Sequence, residues 1–93
     1  MYVSYYDWDK EKNQWLMDHR DVSFELCITA INQGDLLDVV QNKTPREHQF
    51  KYIIKINDYV YVVPFVQDGE KKFLKTIYPS RVETKKYLPE NYE

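Results

Sequence analysis

The first helical pattern of the chain lies near the N-terminus. Trp8, Trp15 and Leu16 fall at positions i, i+7 and i+8, with charged residues between them. This spacing is typical of a helix with one apolar face. Asp9 stands at the start of the pattern, and an aspartate can cap the first turn of a helix. The sequence therefore predicts a helix over residues 9–19.

A second helical pattern follows the break at residues 20–22. Asp21 or Ser23 can cap this helix, and Gly34 stands where a helix commonly ends. The pattern is the clearest helical signal of the chain, because its apolar residues recur at i, i+3, i+4 and i+7. These residues are Phe24, Cys27, Ile28 and Ile31.

From residue 36 onward the apolar residues follow the two-residue period of β-strands. Tyr52, Ile54 and Ile56 alternate with Lys51 and Lys55, which predicts a strand with one buried and one wetter face. The third of the four predicted strands is apolar on both faces, so we expect it to be central and covered by helices. In chain order the predicted strands span residues 36–41, 50–56, 59–66 and 71–78.

Short polar segments separate the three longer strands. Asn57-Asp58 and Asp68-Gly69 each fit the two central positions of a type I′ hairpin turn, where φ is positive. Pro64 lies inside a predicted strand. Because proline has no backbone N–H to donate to a neighbouring strand, we expect a local irregularity of the sheet at this residue.

Two capping-box sequences mark further helix starts. Ser80 with Glu83 three residues later predicts a short basic helix that ends before Pro89. Thr44 with Glu47 forms a similar pair, and it predicts a single helical turn before the first long strand.

Taken together, these elements predict an α+β fold. Two N-terminal helices pack on an antiparallel β-meander of about four strands, with a short helix at the C-terminus. A chain of 93 residues suffices for one hydrophobic core, so we expect one domain over residues 1–93, with its core at about 5–88 and a tail at 89–93. The composition, 43% hydrophobic with only two glycines, argues against disorder.

The cellular compartment is predicted from the cysteine content and the N-terminus. Cys27 is the only cysteine, which favours a reducing compartment because no disulfide can form within the chain. The N-terminus lacks the basic and apolar segments of a signal peptide, and no segment approaches the roughly eighteen apolar residues of a membrane span. We expect a cytoplasmic protein without membrane contact.

Charge is distributed unevenly, although the net charge is only −2. Residues 1–42 contain three basic and eight acidic side chains, whereas residues 43–88 contain ten basic and five acidic side chains. The first segment therefore has a net charge of −5 and the second a net charge of +5. Such asymmetry indicates an anionic partner on the basic side.

The residues of the basic half suit RNA better than they suit a metal or nucleotide enzyme. No Gly-rich phosphate loop, cysteine pair or nucleophile elbow is present, and His19 and His48 share no ligand spacing, so no metal or cofactor is expected. Cations that neutralise phosphates alternate here with aromatic rings on which bases can stack. The plainer interpretation is a solvated strand face. The residues concerned are Lys51, Tyr52, Lys55, Lys71, Lys72, Phe73, Lys75, Tyr78, Arg81, Lys85, Lys86 and Tyr87.

The order of several short motifs resembles the BrnT family of bacterial toxins. That family shows a Trp-Asp-x-x-Lys opening, a Lys-His-Gly-Val-Ser-Phe-Glu segment and a Ser-Ala-Arg-x-Ala-Thr tail followed by arginines. The matching residues, which span most of 5–88, are Trp8-Asp9 with Lys12, Val22-Ser23-Phe24-Glu25, and Arg81 with Thr84. This chain departs from the family pattern at His19-Arg20-Asp21, Pro79-Ser80, Glu83 and Tyr87.

The resemblance implies a RelE/ParE-like fold and a metal-independent ribonuclease, the toxin of a type II toxin–antitoxin pair. Its partners would be RNA and a cognate antitoxin, which would connect the toxin to operator DNA. Arg81 is the first choice for the cation that binds the phosphate, assisted by Lys85 and Lys86. His19 is the favoured acid or base, because imidazole titrates near neutral pH.

The other site residues keep alternatives open. Tyr87 would stack a base or donate a proton, or else it would close the core beneath the last helix. His48 and Glu47 are the second choices for proton transfer, and His19 could equally be a packed residue at a helix end. The remaining RNA-binding candidates are Lys51, Lys55, Lys75, Arg46 and His48.

Two other functions compete with the ribonuclease. A catalytically inactive relative of the toxins would bind its protein partner without cutting RNA, and the departures from the family pattern motivate this alternative. A ParE-like poison of a protein target is the third interpretation. The sequence leaves open whether two copies of the chain pair.

Overall fold

The computed structural model of this chain describes residues 5–43, 45 and 48–91. These residues form a mixed α+β structure with three α-helices and a six-stranded sheet. The elements are β1 (Tyr5–Trp8), α1 (Lys10–Arg20), α2 (Phe24–Asn32), β2 (Leu36–Gln41), β3 (Gln49–Ile56), β4 (Tyr59–Asp68), β5 (Lys71–Leu74), β6 (Tyr78–Pro79), α3 (Arg81–Tyr87) and a 3-10 helix (Pro89–Asn91).

The first helix begins at Lys10, one residue after the predicted start. Asp9 caps α1, with its carboxylate accepting hydrogen bonds from the backbone N–H groups of Glu11 and Lys12. Trp8 lies in β1, which the sequence did not predict, and it is not part of the helical face. Trp15 is 38% exposed and so is not on a buried helical face, whereas Trp8 packs against the hydrophobic core from β1, beside Phe24. Only Leu16 of the three is fully buried.

The second helix begins and ends where the pattern predicts. The Ser23 hydroxyl accepts a hydrogen bond from the N–H of Leu26, so Ser23 is the cap. Gly34 follows the helix with φ of +89°, a conformation that favours glycine. Asn13 connects the two helices: its side chain accepts from the N–H of Phe24 at 2.8 Å and donates to Glu25 at 2.7 Å.

The strands form one sheet in the order β1-β5-β4-β3-β2, and β6 also pairs with β4. Strands β2 to β5 are consecutive antiparallel neighbours, as a meander requires. β4 occupies the centre, which confirms the prediction from its apolar character. The difference from the prediction is β1, which precedes the helices and pairs with β5 in parallel.

One of the two predicted hairpin turns is confirmed and the other is displaced by one residue. Asn57 and Asp58 have φ of 53° and 63° between β3 and β4, as a type I′ turn requires. In the β4–β5 hairpin Asp68 pairs with Lys71, so the central residues are Gly69 and Glu70. Of these two, only Gly69 has positive φ, which fits the type II′ pattern instead of the predicted type I′ turn.

Pro64 lies at an interruption of the sheet, as expected. On one side of β4 the pairing with β5 ends at Phe65, and the pairing with β6 resumes at Val62. Pro64 falls between these two stretches, where its missing N–H removes no strand hydrogen bond. The predicted strand over residues 71–78 is therefore divided into β5 and β6, with a break after Leu74.

The two faces of the sheet carry different hydrophobic clusters. Helices α1 and α2 cover what we call the first face, where Phe24, Ile54 and Leu74 are almost fully buried. The other side, the second face, has a smaller cluster in which Ile53, Val60 and Val62 are buried. Because neighbouring strand residues point to opposite faces, β3 and β4 contribute to both clusters.

Helix α3 covers only part of the second face. Ser80 caps it as predicted, with its hydroxyl accepting from the N–H of Glu83. The buried Thr84 hydroxyl accepts from the N–H of Val60 at 2.9 Å and donates to the carbonyl of Ser80 at 2.7 Å. Tyr87 and Leu88 then pack against the second-face cluster.

Two remaining predictions concern the loop after β2 and the membrane. The helical turn predicted from Thr44 and Glu47 lies outside the described residues, as does Arg46. None of the helices in the described part of the chain has the length and apolar character needed to cross a membrane.

Candidate nucleic-acid interface

Half of the second face is not covered by any described helix. Helix α3 lies over Ile53, Val60 and Val62. On the second face it leaves uncovered the opposite ends of β3 and β4 and the residues of β5 that point to this face. We call this surface the open half and define it by six residues. They are Lys51, Pro64, Val66, Lys71, Phe73 and Lys75.

A cavity of about 200 Å³ lies in the open half. Lys51 of β3 and Lys75, just after β5, both line it, so the structure brings these two predicted RNA-binding residues together. Asn42 and Gln49 add amide groups, and Pro64 adds apolar surface. Two of the described lining residues are cationic and none is acidic, so the cavity suits an anion with an apolar part.

An aromatic ring lies beside this cavity between two ammonium groups. The Nζ atoms of Lys71 and Lys75 are 6.0 and 5.6 Å from the ring centroid of Phe73. These distances are within the range of cation–π attraction. The three residues alternate along the chain and therefore lie on one face of the sheet, as the alternation of cations and aromatic rings in the sequence suggested.

Two carboxylates border the open half on its far side. Asp68 is opposite Lys71 in the β4–β5 pair, and Asp7 is opposite Phe73 in the β1–β5 pair. Both aspartates are exposed. The positive potential is therefore strongest on the other side of Phe73, towards Lys51 and Lys75.

The cations of the terminal helix lie on the same side of the sheet as the open half. Arg81 and Lys85 are exposed and are one helical turn apart, so they share one flank of α3. Lys86 is also exposed, and its Nζ lies 5.2 Å from the ring centroid of Tyr87. All three predicted phosphate-binding residues thus belong to the element that covers the second face.

Tyr87 itself is a packing residue in this structure. Its ring belongs to the second-face cluster with Ile53 and Val62. Its hydroxyl donates a hydrogen bond to the carboxylate of Asp38 on β2, at 3.3 Å. This arrangement matches the alternative in which Tyr87 closes the core beneath α3.

His19 is separated from the basic residues of α3. It lies near the end of α1, which covers the first face, and its ring stacks on Trp15 with the centroids 4.6 Å apart. Lys12 and Arg20 also place cations near the Trp15 ring, at 4.4 and 5.0 Å. The structure therefore does not bring His19 and Arg81 to one face of the sheet.

The other candidates lie at opposite ends of β3. His48 is exposed directly before Gln49, a residue of the 200 Å³ cavity, and its carbonyl accepts from the N–H of Gln67. Lys55 lines a different cavity of about 360 Å³, between α2 and the β3–β4 hairpin, where Asp35 and Asp58 are also present. His48 is thus next to a cavity residue along the chain, whereas Lys55 is at the other end of β3 and outside the open half.

Burial raises the pKa values of Cys27, Tyr52 and Tyr61 in the first-face core. Burial raises the pKa of the Cys27 thiol to about 12. Burial, together with the hydrogen bond and charge of Tyr6, raises the pKa of Tyr52 above its ordinary value. Because only the thiolate is a strong nucleophile, Cys27 is a structural residue at neutral pH.

The sequence matches no protein-family model and no curated protein. Within the described residues, no group of three or more His, Cys, Asp or Glu side chains is arranged to hold a metal ion. The features that bear on function are the open half, the basic residues of α3 and the order of the sequence motifs.

Proposed function

We propose that this chain is the toxin of a bacterial type II toxin–antitoxin pair, a cytoplasmic, metal-independent ribonuclease that resembles the BrnT family and has a RelE/ParE-like fold. The observation that carries the proposal is the gathering of cations on the second face. Lys51 of β3 and Lys75, just after β5, line one cavity there, and the basic residues of α3 lie over the same face. RNA is the ligand that such a surface fits, because phosphates and bases need cations and apolar contacts together.

The dimensions of this surface suit an extended RNA strand. From Pro64, beside the cavity, to Val60, beneath α3, β4 advances about 13 Å at the usual rise of a β-strand. A single strand lying across the second face would therefore contact the lysines of the open half with one phosphate and α3 with a later one.

The reaction needs three functions from the protein. A base takes the proton of the 2′-hydroxyl, the 2′-oxygen attacks the phosphorus to form a cyclic phosphate, and an acid protonates the departing 5′-oxygen. The Arg81 guanidinium stabilises the charge that develops on the phosphate oxygens, because its planar fork fits two oxygens at once. Lys85 and Lys86 make the local potential more positive and so add to this stabilisation.

Proton transfer is assigned to His48 in this proposal, in place of His19. His48 directly precedes Gln49, a residue that lines the cavity of the open half, whereas His19 is stacked on Trp15 in a helix of the first face. One imidazole can take the proton of the 2′-hydroxyl and deliver it to the departing 5′-oxygen, so a single histidine balances both proton transfers.

The antitoxin is proposed to bind on the side of α1 and α2. Met17 and Leu26 are exposed there, at 42% and 37%. The cavity of about 360 Å³ beside Leu26 combines apolar surface with Asp35 and Lys55. An antitoxin that also carries a DNA-binding domain would connect the toxin to operator DNA, and its binding would raise the melting temperature of the toxin by mass action.

Induced expression of the chain without its partner tests the proposal. The wild-type protein should arrest growth, and the purified protein should cleave RNA in the presence of EDTA. Arg81→Ala should relieve the arrest and abolish cleavage, whereas Lys10→Ala, an exposed change on α1, should alter neither. Normal growth and intact RNA at high wild-type expression would refute the proposal.

One observation favours a second candidate, a catalytically inactive toxin relative that binds a protein partner. His19, the proton-transfer group that the family resemblance favoured, lies on the other side of the sheet from α3. An inactive protein would retain the antitoxin surface of α1 and α2. Tight partner binding without any RNA cleavage by the wild-type protein would support this candidate.

A further inference from the structure

Phe73 is a large apolar residue without a place in either hydrophobic cluster. Its neighbour Leu74 is 1% exposed in the first-face core, so the alternation of β5 directs Phe73 towards the second face. Phe73 is only half-buried there, and α3 packs elsewhere on that face. Its side chain thus offers an aromatic ring to a ligand of the open half.

The surroundings of this ring specify the chemistry of the ligand. Lys71 and Lys75 hold ammonium groups within about 6 Å of the ring centroid, and Lys75 also lines the cavity with Lys51. A ring beside several cations is the combination with which proteins bind single-stranded nucleic acids: bases stack on the ring and phosphates pair with the cations. A duplex does not fit, because its base faces are already stacked on one another.

The two carboxylates nearby set the direction of the bound strand. Asp7 and Asp68 border Phe73 and Lys71 on the β1 side and at the β4–β5 turn. They repel phosphates from that side, whereas Lys51 and Lys75 attract them on the other. A base on Phe73 would therefore have its phosphates towards the cavity.

We propose that Phe73 is a stacking platform for one unpaired base of a single-stranded RNA, whose adjoining phosphates are bound by Lys51 and Lys75. The proposal rests on the proposed function for the choice of RNA as the polynucleotide. It adds that the substrate is single-stranded and that an aromatic contact contributes to its affinity.

Binding of fluorescein-labelled RNA, measured by fluorescence anisotropy, tests this platform. The probes are a ten-nucleotide single strand and a hairpin duplex, both 2′-O-methylated so that they cannot be cleaved. Phe73→Leu should weaken single-strand binding on the order of tenfold, which corresponds to the loss of one stacked base. Phe73→Trp, which keeps a ring, should bind like the wild type.

Trp15→Leu is the matched control, because Trp15 is likewise a ring with cations nearby, but it lies on α1 and is stacked on His19. It should leave binding unchanged, and circular dichroism should show that all variants are folded. Equal binding by Phe73→Leu and wild type would overturn the platform. Equal affinity for the duplex and the single strand would also overturn the platform. So would a failure of the wild type to bind either probe, and the half-buried ring would then be assigned to a protein partner.

The same measurements separate this inference from the proposed function. If the wild type binds the single strand through Phe73 but neither cleaves RNA nor arrests growth, the platform stands and the ribonuclease fails. If the wild type cleaves RNA and Phe73→Leu cleaves it with unchanged KM, the ribonuclease stands and the platform fails.

Discussion

The imidazole of His19 lies nearly parallel to the indole of Trp15, with an interplanar angle of 15° and ring centroids 4.6 Å apart. Its Nδ1 atom is 2.9 Å from the carbonyl oxygen of Trp15. These contacts hold the ring against its own helix, on the side of the sheet away from α3. An imidazole in this position supports the end of α1, and a different group must move protons at an RNA site on the second face.

The two histidines should therefore respond differently to substitution. His19→Gln should leave the rate of RNA cleavage within about twofold of wild type, since the change lies outside the second face. His48→Gln should lower the rate by at least about a hundredfold, the usual contribution of a general acid or base. Single-turnover rates at pH 7 measure both effects. If His19→Gln lowered the cleavage rate more than His48→Gln did, proton transfer would be assigned to His19.

The buried hydroxyl of Thr84 should make a measurable contribution to stability. Thr84→Val keeps the shape of the side chain but removes the acceptor for the N–H of Val60. An unsatisfied buried donor costs about 1–3 kcal/mol, so the free energy of unfolding should fall by this amount in urea denaturation. Thr84→Ser retains the hydroxyl and should lose less. No loss of stability in Thr84→Val, or a larger loss in Thr84→Ser than in Thr84→Val, would show that the methyl group matters more than the hydrogen bond.

Stability should decline in alkali because of the first-face core. The unfolded Cys27 thiol ionises near pH 9, whereas burial raises its pKa to about 12 in the folded protein. The folded state therefore retains a proton that the unfolded state releases. The contribution of Cys27 to the free energy of unfolding is complete below about pH 9 and should fall by about 1.4 kcal/mol per pH unit up to about pH 12.

Urea denaturation from pH 8 to pH 11 measures this decline. Tyr52 acts in the same direction, because its pKa is also raised by burial. Cys27→Ala removes one of the groups with a raised pKa. The free energy of unfolding of this variant should therefore fall less steeply with pH, although it should be lower than that of the wild type at pH 8. A slope identical to that of the wild type would show that the thiol does not contribute.

The elements that could be predicted from the sequence are those with local signals. Ser23, Ser80 and Gly34 mark helix ends through bonds to residues a few positions away, and all three are confirmed. The alternation of Lys51 with Tyr52 likewise predicts the two faces of β3. Patterns within about eight residues determine these features, so a single sequence suffices for them.

The features that the sequence did not predict depend on distant contacts. β1 is only four residues long and is stabilised by pairing with β5, more than sixty residues away along the chain. Its Trp8 has a spacing that also fits a helix, so the periodicity misassigned it. In the same way, the separation of His19 from Arg81 follows from α1 and α3 packing on opposite faces, which no local motif encodes.

The salt dependence of RNA binding tests most directly whether the open half binds the phosphate backbone. With the uncleavable single strand, Lys51→Gln/Lys75→Gln should reduce the slope of log K against log salt concentration by about 1.4, or about 0.7 for each lost phosphate contact. Lys10→Gln/Lys12→Gln on α1 should leave the slope as in wild type. An unchanged slope in the first variant, or an equal reduction in both, would contradict the assignment of RNA binding to this surface.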